Sequence, residues 1–291
     1  GKNHMDKKGI VFGAGLSGLG AKELLEKNGY EVYLIDDKAA MPSAEGIRLL
    51  NEEKIEFIVK SPGIPWKAEL LKVAKEKNSK VIVNDLSKID ILENKKSGQV
   101  INYKNFKNLK INLLGSHQVN NATISLELLI ELRNMGFDIS DESIYKGFST
   151  VSWPCRFELV SKKPDFILDG AHNIDGVEKF ISNMNFYYKN TKKIAIFGVL
   201  EDKDYNEMLE KIIPCFDVFL TVRPDSDRAM NASDLREKIR CLTDKEVYSF
   251  EDYQEAIDKS FSISNKDDVI SAFGSLYFVG EVRKLLGVSD Y

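Results

Sequence analysis

The sequence predicts an α/β protein with two domains, each built on a mostly parallel β-sheet. Three observations predict it. Short β-branched runs alternate with amphipathic stretches of helical length in both halves of the chain, a glycine-rich turn joins the first such run to the first such stretch, and no run approaches the roughly 18 apolar residues of a membrane span. Strands that alternate with helices are typical of parallel sheets with right-handed crossovers.

Residues 9–83 carry the clearest pattern. Four short runs alternate with three amphipathic stretches in the order βαβαβαβ: Ile10–Phe12, Ser17–Asn28, Glu31–Ile35, Ala44–Glu53, Glu56–Val59, Lys67–Lys77 and Lys80–Val83. Helical stretches of this length connect neighbouring parallel strands. We therefore predict a Rossmann-like parallel-sheet domain over residues 9–84.

The pattern changes after residue 84. Residues 85–115 are short polar segments with a hairpin turn at Lys95–Gly98, and Asn121–Met135 carries apolar residues at helical spacing and stops at Gly136. We place a domain boundary near Ser149–Val151, so that residues 85–150 precede a second α/β domain over residues 151–291. The predicted strands of that domain are Phe166–Leu168, Ile194–Val199, Val218–Val222 and Val269–Phe273.

Composition narrows the class of protein. Forty-one Lys and Arg against 45 Asp and Glu give a formal charge of −4, which argues against general nucleic-acid binding. The absence of a long apolar run argues against a membrane partner. Three scattered cysteines without a CxxC pair predict reduced thiols, no metal site and a cytoplasmic protein. Residues 1–8 are expected to be a tag or a disordered start.

The glycine-rich turn Gly13–Gly18 follows the first strand, and Asp36 or Asp37 ends the next strand about 20 residues later. This spacing predicts a nucleotide or diphosphate site, with the glycines at the pyrophosphate and the acid at a ribose hydroxyl. The competing interpretation is that the glycines only allow close packing of strand and helix.

A second turn, Ser61–Pro65, follows the third strand as Ser-Pro-Gly-Ile-Pro. Together with Gly-Ala-Gly-Leu-Ser-Gly at residues 13–18, it resembles the amino-terminal domain of the muramoylalanine–D-glutamate ligase family, which holds a UDP-linked sugar. The resemblance covers residues 9–83. It implies that a diphosphate is lined by Gly13, Gly15, Ser17 and Gly18, and that the substrate is faced by Asp36, Ser61, Pro62 and Gly63.

Six strings in the remainder of the chain occur in the order found in another branch of the same Mur ligase superfamily. They are Leu114–Ala122, Trp153–Glu158, Asp169–Asn173, Gly198–Tyr205, Thr221–Pro224 with Arg228-Ala229, and Gly274–Arg283. Residues 85–291 thereby resemble the carboxyl-terminal part of the folylpolyglutamate synthases (dihydrofolate synthases). The resemblance implies that residues 85–150 are a remnant of the central ligase domain and that residues 151–291 are the Mur-ligase-type carboxyl-terminal domain.

Enzymes of this kind convert a carboxylate into an acyl phosphate that an amine then attacks, so they need cations for the phosphates and groups that hold the adenosine. The resemblance implies ATP as cofactor, with glutamate and a folate-type or UDP-muramoyl-type acceptor as substrates. It implies that Asn121 contacts the adenine, Arg156 the phosphates, and Asp169 and His172 the ribose and phosphate region. Lys203 and Asp204 are expected near the incoming glutamate, and His172, Lys203 and Asp204 are the candidate catalytic residues.

Four of these residues also have a purely structural interpretation. Asn121 could cap the helix that begins there, and His172 could be a structural histidine. Asp169 could be a turn residue, and Arg156 could form a weak surface ion pair with Glu158.

Two departures from the family pattern affect the predicted activity. Cys155 stands where the family has glycine, so a side chain occupies a position that could need positive φ. Cys155 is either an inert small residue, the favoured interpretation, or a reactive thiol whose pKa is lowered by the neighbouring Arg156. No phosphate-binding loop of the form GxxxxGK[ST] occurs in the 291 residues, so Mg²⁺ is expected only with a complete ATPase core.

The sequence therefore predicts an ATP-dependent amide ligase of this superfamily, incomplete or inactive as given. Two alternatives remain open at this point. One is a non-catalytic nucleotide- or UDP-sugar-binding module, and the other is an NAD(P)-binding oxidoreductase.

Overall fold

The computed structural model describes residues 7–12, 16–36, 40–60 and 69–288, with the backbone alone for residues 16–20. The chain divides into two compact units, Gly1–Val151 and Ser152–Tyr291. The predicted segments 9–84 and 85–150 both lie in the first unit. Within the described ranges, no helix is both long enough and apolar enough to cross a membrane.

The first unit opens with a four-stranded sheet whose strands are all parallel, in the order β2-β1-β3-β4. Its elements are β1 (Lys8–Phe12), α1 (Leu16–Lys27), β2 (Glu31–Ile35), α2 (Ser43–Glu52), β3 (Phe57–Lys60), α3 (Glu69–Glu76) and β4 (Lys80–Ile82). The central strands β1 and β3 are buried almost throughout. Their apolar runs are what a parallel sheet covered on both faces requires, and the predicted order of elements is confirmed.

A second, antiparallel sheet follows in the same unit. It consists of β5 (Ile89–Lys95), β6 (Gly98–Tyr103) and β7 (Phe106–Ile111), and helices α4 (Ser116–Asn134) and α5 (Asp141–Thr150) come after it. Apolar residues of β6, β7, α4 and α5 form one buried cluster. The hairpin turn between β5 and β6 lies at Lys96 and Ser97, as predicted.

Helix α4 begins at Ser116, so the prediction that it starts at Asn121 is wrong. The residue before it, Gly115, has φ 102°, a conformation that glycine adopts without strain. The polar residues that follow Gly115 carry little apolar periodicity, which is why the sequence pattern missed the first turns of the helix.

The second unit contains a six-stranded sheet in the order β12-β11-β10-β13-β9-β8. Strands β9 to β13 are parallel and β8 pairs antiparallel with β9. The strands are β8 (Glu158–Ser161), β9 (Asp165–Asp169), β10 (Lys193–Phe197), β11 (Val218–Thr221), β12 (Glu246–Ser249) and β13 (Val269–Phe273). The helices are α6 (Ile174–Tyr187), α7 (Tyr205–Ile212), α8 (Ala232–Arg240), α9 (Tyr253–Ser262) and α10 (Leu276–Leu285).

The helices cover both faces of this sheet. Helix α6 packs on one face, where the Phe180 ring lies 4.5 Å from that of Phe273, whereas apolar residues of α9 and α10 join the buried cluster on the other face. The chain therefore leaves the neighbouring strands β9 and β13 toward opposite faces. In parallel α/β sheets such a divergence opens a crevice at the carboxyl ends of the strands.

Candidate functional site

The tight turn Trp153–Phe157 presents Arg156. Two of its non-glycine residues have positive φ, 60° at Cys155 and 44° at Phe157. The Arg156 N–H donates to the Trp153 carbonyl at 3.2 Å, and its half-buried guanidinium lies over the Trp153 ring, 5.6 Å from the centroid. Since both neighbours of Arg156 adopt a conformation that L-residues disfavour, other contacts must hold the turn.

One such contact comes from Asp169, at the carboxyl end of β9. Its carboxylate accepts the backbone N–H of Phe157 at 3.1 Å and that of Ala171 at 2.8 Å. The Gly170 N–H donates to the Cys155 carbonyl at 2.8 Å. Burial raises the pKa of Asp169 to about 6, although the two backbone donors and the Arg156 charge act in the opposite direction. The structure thus brings the two predicted nucleotide residues Arg156 and Asp169 together, and Asp169 does act as a turn residue.

Glu158 holds the same turn from another side. Its Oε1 accepts the Cys155 N–H at 3.0 Å and the Arg283 Nε–H at 2.9 Å. Glu158 therefore pairs with Arg283, and the interpretation of Arg156 and Glu158 as a surface ion pair is wrong. Glu158 and Arg283 are 125 residues apart in the chain, so their contact could not be predicted from local sequence spacing.

Cys155 is a buried residue of this turn and not a reactive one. Its side chain joins the apolar cluster beneath α9 and α10. Burial, and to a smaller extent the charge of Glu158, raise the pKa of its thiol to about 11, so the thiol is protonated near neutral pH. The nearby arginines lower the pKa by less. The interpretation of Cys155 as an activated thiol is not supported.

A cavity of about 470 Å³ opens beside this turn at the carboxyl edge of the sheet. It is lined by His172, Leu200, Lys203, Arg228, Ser275, Leu276 and Tyr277. These residues follow four different strands, β9, β10, β11 and β13. The cavity thus lies where the crossovers diverge, the usual location of a ligand in an open parallel sheet.

The cavity lining includes three basic side chains, those of His172, Lys203 and Arg228. His172 is exposed, with Nδ1 3.0 Å from the Gly170 carbonyl, and that contact orients its ring. Arg228 donates through Nη1 to Asp202 at 2.7 Å. Ser275 caps helix α10, accepting the Tyr277 N–H at 3.1 Å. The helix start adds partial positive charge to an already cationic site.

Lys203 and Asp204 were both predicted near an incoming amino acid, but only Lys203 lines the cavity. Lys203 is half-buried and lines the cavity together with His172. Asp204 is exposed, precedes helix α7 and is not part of the cavity lining. Arg228 and Ser275 were not predicted as site residues, although each occurs in a family string. The sequence therefore contained a signal for both residues, but only the fold shows that Arg228 and Ser275 line the same cavity.

The remaining predicted residues lie in the first unit. Asn121 is inside α4, where its Nδ2 donates to Gln118 Oε1 at 3.0 Å, so the interpretation of Asn121 as the helix cap is wrong. Asp36 follows β2, and its N–H donates to the Met41 carbonyl at 2.8 Å. Ser17 and Gly18 belong to α1. Five predicted residues fall outside the described ranges: Gly13, Gly15, Ser61, Pro62 and Gly63.

In the part of the chain that the structure describes, no group of three or more His, Cys, Asp or Glu side chains is placed to hold a metal ion.

A parallel sheet with a cationic crevice at its carboxyl edge defines a class of α/β proteins that bind anionic small molecules. Comparison with known proteins narrows that class. Residues 155–276 match the family "Mur ligase, glutamate ligase domain". The second unit is thus a Mur ligase carboxyl-terminal domain, and the chain is homologous to folylpolyglutamate synthases and Mur ligases.

Two curated relatives illustrate both resemblances. The chain is 32% identical over 184 residues to a dihydrofolate synthase/folylpolyglutamate synthase of Bacillus subtilis, covering 63% of this chain and 42% of the relative. It is 35% identical over 220 residues to a UDP-N-acetylmuramoylalanine–D-glutamate ligase of Fusobacterium nucleatum, covering 71% and 50%. The chain therefore spans at most half the length of these relatives.

Solved structures share the fold. A folylpolyglutamate synthase of Thermotoga maritima matches with a TM-score of 0.73 at 23% identity, covering 91% of this chain and 68% of that one. A folylpolyglutamate synthase of Mycobacterium tuberculosis complexed with ADP and AMPPCP matches with a TM-score of 0.68 at 21% identity, covering 89% and 64%. The prediction of an α/β fold with parallel sheets is confirmed.

Proposed function

We propose that this protein is an ATP-dependent acid–amino-acid ligase that joins an amino acid such as glutamate to a carboxylate through an acyl phosphate. The observation that carries the proposal is the placement of the Arg156–Asp169 turn and the cationic cavity at one edge of the second unit's sheet. A ligase of this type needs both parts, because it must neutralise a transferring phosphate and hold an incoming amine.

The nucleotide part of the site is assigned to Arg156 and Asp169. A guanidinium suits phosphate because it is planar, always charged and carries several donors. Asp169 fixes the turn that carries Arg156 and offers a carboxylate for a ribose hydroxyl. Relatives of the same fold have been solved with ADP, and one with AMPPNP and Mn, which supports ATP as the cofactor.

The amino-acid part is assigned to the cavity. A dicarboxylate such as glutamate matches the charge of Lys203, Arg228 and the start of helix α10, since helix N-termini favour anions. His172 is proposed to exchange a proton with an attacking amine. Asp204 is proposed to act at the rim of the cavity, because it is outside the lining.

Turnover needs a further component. The sequence contains no GxxxxGK[ST] loop, and that loop supplies the lysine for the β- and γ-phosphates and the hydroxyl for Mg²⁺. We propose that the 291 residues bind nucleotide and glutamate but release phosphate slowly. The comparisons do not support the alternatives of a non-catalytic module or an NAD(P)-dependent oxidoreductase. The acceptor is proposed to be a folate or a UDP-muramoyl compound.

Calorimetric titration of the 291-residue protein with ADP tests the nucleotide assignment. We expect binding that is weakened about tenfold or more in Arg156→Gln, the loss expected when one charge-assisted hydrogen bond is removed. Arg236→Gln removes a guanidinium of helix α8 that contacts Ser249, and serves as the control. An unmodified protein that binds no ADP would overturn the proposal.

Phosphate release with glutamate and each of dihydropteroate, tetrahydrofolate and UDP-muramoylalanine identifies the acceptor. Amide product formed with one of them, however slowly, would assign it. The absence of product with all three, in a protein that binds ADP, would restrict the proposal to nucleotide and amino-acid binding.

A further inference from the structure

An ion pair between Glu158 and Arg283 lies behind the turn that presents Arg156. The Arg283 Nε is 2.9 and 3.3 Å from the two carboxylate oxygens of Glu158, and its Nη2 is 3.1 Å from Oε2. Both side chains are nearly buried, with 10% of the arginine and 15% of the glutamate exposed. The guanidinium therefore grips both oxygens in the two-pronged geometry that suits arginine and carboxylate.

Stability alone is a weak reason for such a pair. Removing two charges from water costs about as much as their attraction returns, and apolar replacements of similar volume are often neutral or stabilising. A buried pair is better explained by what it orients. In this molecule Glu158 also accepts the Cys155 N–H at 3.0 Å, directly beside Arg156.

A second cation, Arg156, is close to Glu158 in the sequence. Arg156 is two residues away, and a carboxylate without Arg283 would need another positive charge to compensate its burial. Arg156 is the nearest in sequence. With Arg283 in place, the Arg156 guanidinium instead lies over the Trp153 ring.

We propose that Arg283 and Glu158 are positioning residues for Arg156. Glu158 fixes the turn through the Cys155 N–H, and Arg283 occupies Glu158 so that the Arg156 guanidinium stays available to an anionic ligand. The ligand part rests on the proposed function, in which that ligand is the phosphate of an adenine nucleotide. The conformational part does not depend on it.

Trp153 emission tests the conformational part without any ligand. The chain has two tryptophans, so Trp66→Phe leaves Trp153 as the only one. In that background Arg283→Met leaves Glu158 unpaired, and we expect Arg156 to move onto it and Trp153 emission to change. The double variant Glu158→Gln/Arg283→Met removes the charge that attracts Arg156. Its emission should return to that of the parent, an outcome that a general loosening of the fold would not produce.

Unchanged emission in Arg283→Met, or a change that persists in the double variant, would overturn the proposal. Lys211→Met is the matched control, since Lys211 pairs with Glu178 at 3.0 Å in the same unit, in an ion pair that joins α7 to α6. If Arg283→Met does not fold, as judged by circular dichroism, Arg283→Lys offers the same comparison. It keeps the charge but loses the two-pronged contact, so a smaller change in emission is expected.

Affinities for ADP and adenosine test the ligand part. Arg283→Met should bind ADP about tenfold or more weakly while its affinity for adenosine is unchanged, because only the phosphate contact is lost. The double variant should recover ADP binding. Equal losses for ADP and adenosine would indicate a structural role and overturn the ligand part. An unmodified protein that binds neither would overturn the proposed function, while the Trp153 emission would still decide the role of the ion pair.

Discussion

Gly274 is the position at which a single added methyl group should do the most damage to the site. It directly follows β13 and precedes Ser275, the cap of helix α10 and part of the cavity wall. Its φ is +117°, and an added Cβ would lie 2.0 Å from the Gly198 carbonyl oxygen and 2.8 Å from the Phe197 ring. The Gly198 oxygen is a backbone atom, so no change of side-chain rotamer can relieve this clash.

Gly274→Ala should therefore destabilise the second unit strongly. Left-handed backbone costs an L-residue about 1–2 kcal/mol, and forcing an extra carbon into a packed interior costs about 1–3 kcal/mol more. Their sum, about 2–5 kcal/mol, is a large share of the roughly 5–15 kcal/mol that stabilises a typical domain. Urea unfolding followed by Trp153 emission in the Trp66→Phe background reports this unit, and the midpoint should fall by about 1 M or more.

Gly280→Ala supplies a control of opposite sign. Gly280 lies within helix α10, six residues further on, and an added Cβ there would meet no atom within 4 Å. Alanine in a helix interior is favoured over glycine by about 0.5–1 kcal/mol, so the midpoint should rise. A Gly274→Ala protein as stable as its parent would refute the inferred close approach of the ends of β10 and β13.

Two further predictions concern titratable groups. Because the pKa of Asp169 is raised from 3.8 to about 6, its contribution favours the folded state fully below pH 3.8 and is lost as pH rises through 6. Carboxyl NMR should give a midpoint near 6, and one below 4.5 would contradict this. Because the pKa of the buried Cys155 thiol is about 11, a disulfide reagent at pH 7.5 should label exposed Cys241 and spare Cys155 until unfolding. Peptide mass spectrometry showing early Cys155 labelling would contradict it.

The regular elements were predictable because their signals are local. Strands such as Phe57–Lys60 are short apolar runs bounded by polar residues, and their order along the chain implies the parallel sheet. The first turns of α4 escaped prediction because the signal for the helix start was one glycine with φ 102°, followed by polar residues. A backbone conformation of that kind is not readable from hydrophobic spacing.

The individual residues of the site were predictable from the sequence, but the contacts between them were not. Arg156, Asp169 and His172 stood out because they occur in family strings. The turn that carries Arg156 precedes β8 and is bonded to Asp169 at the end of β9, and His172 follows Asp169 in the loop after β9. The contact of Glu158 with Arg283 spans 125 residues and depends on which helix face meets which strand. Arg228 joins the cavity for the same reason. These contacts were not predicted because the residues that make them are far apart in the sequence.

Cys155 shows how tertiary contacts overcome a local preference. Its φ of 60° costs about 1–2 kcal/mol relative to ordinary backbone, and glycine would adopt it freely. Against this cost, the charge-assisted bond from its N–H to Glu158 contributes about 1.5–3 kcal/mol, and its carbonyl accepts the Gly170 N–H. Because the turn is held at both backbone groups of this residue, its conformation does not require glycine. The direction in which Arg156 points is therefore set by Glu158, Asp169 and Arg283 rather than by the residue that precedes it.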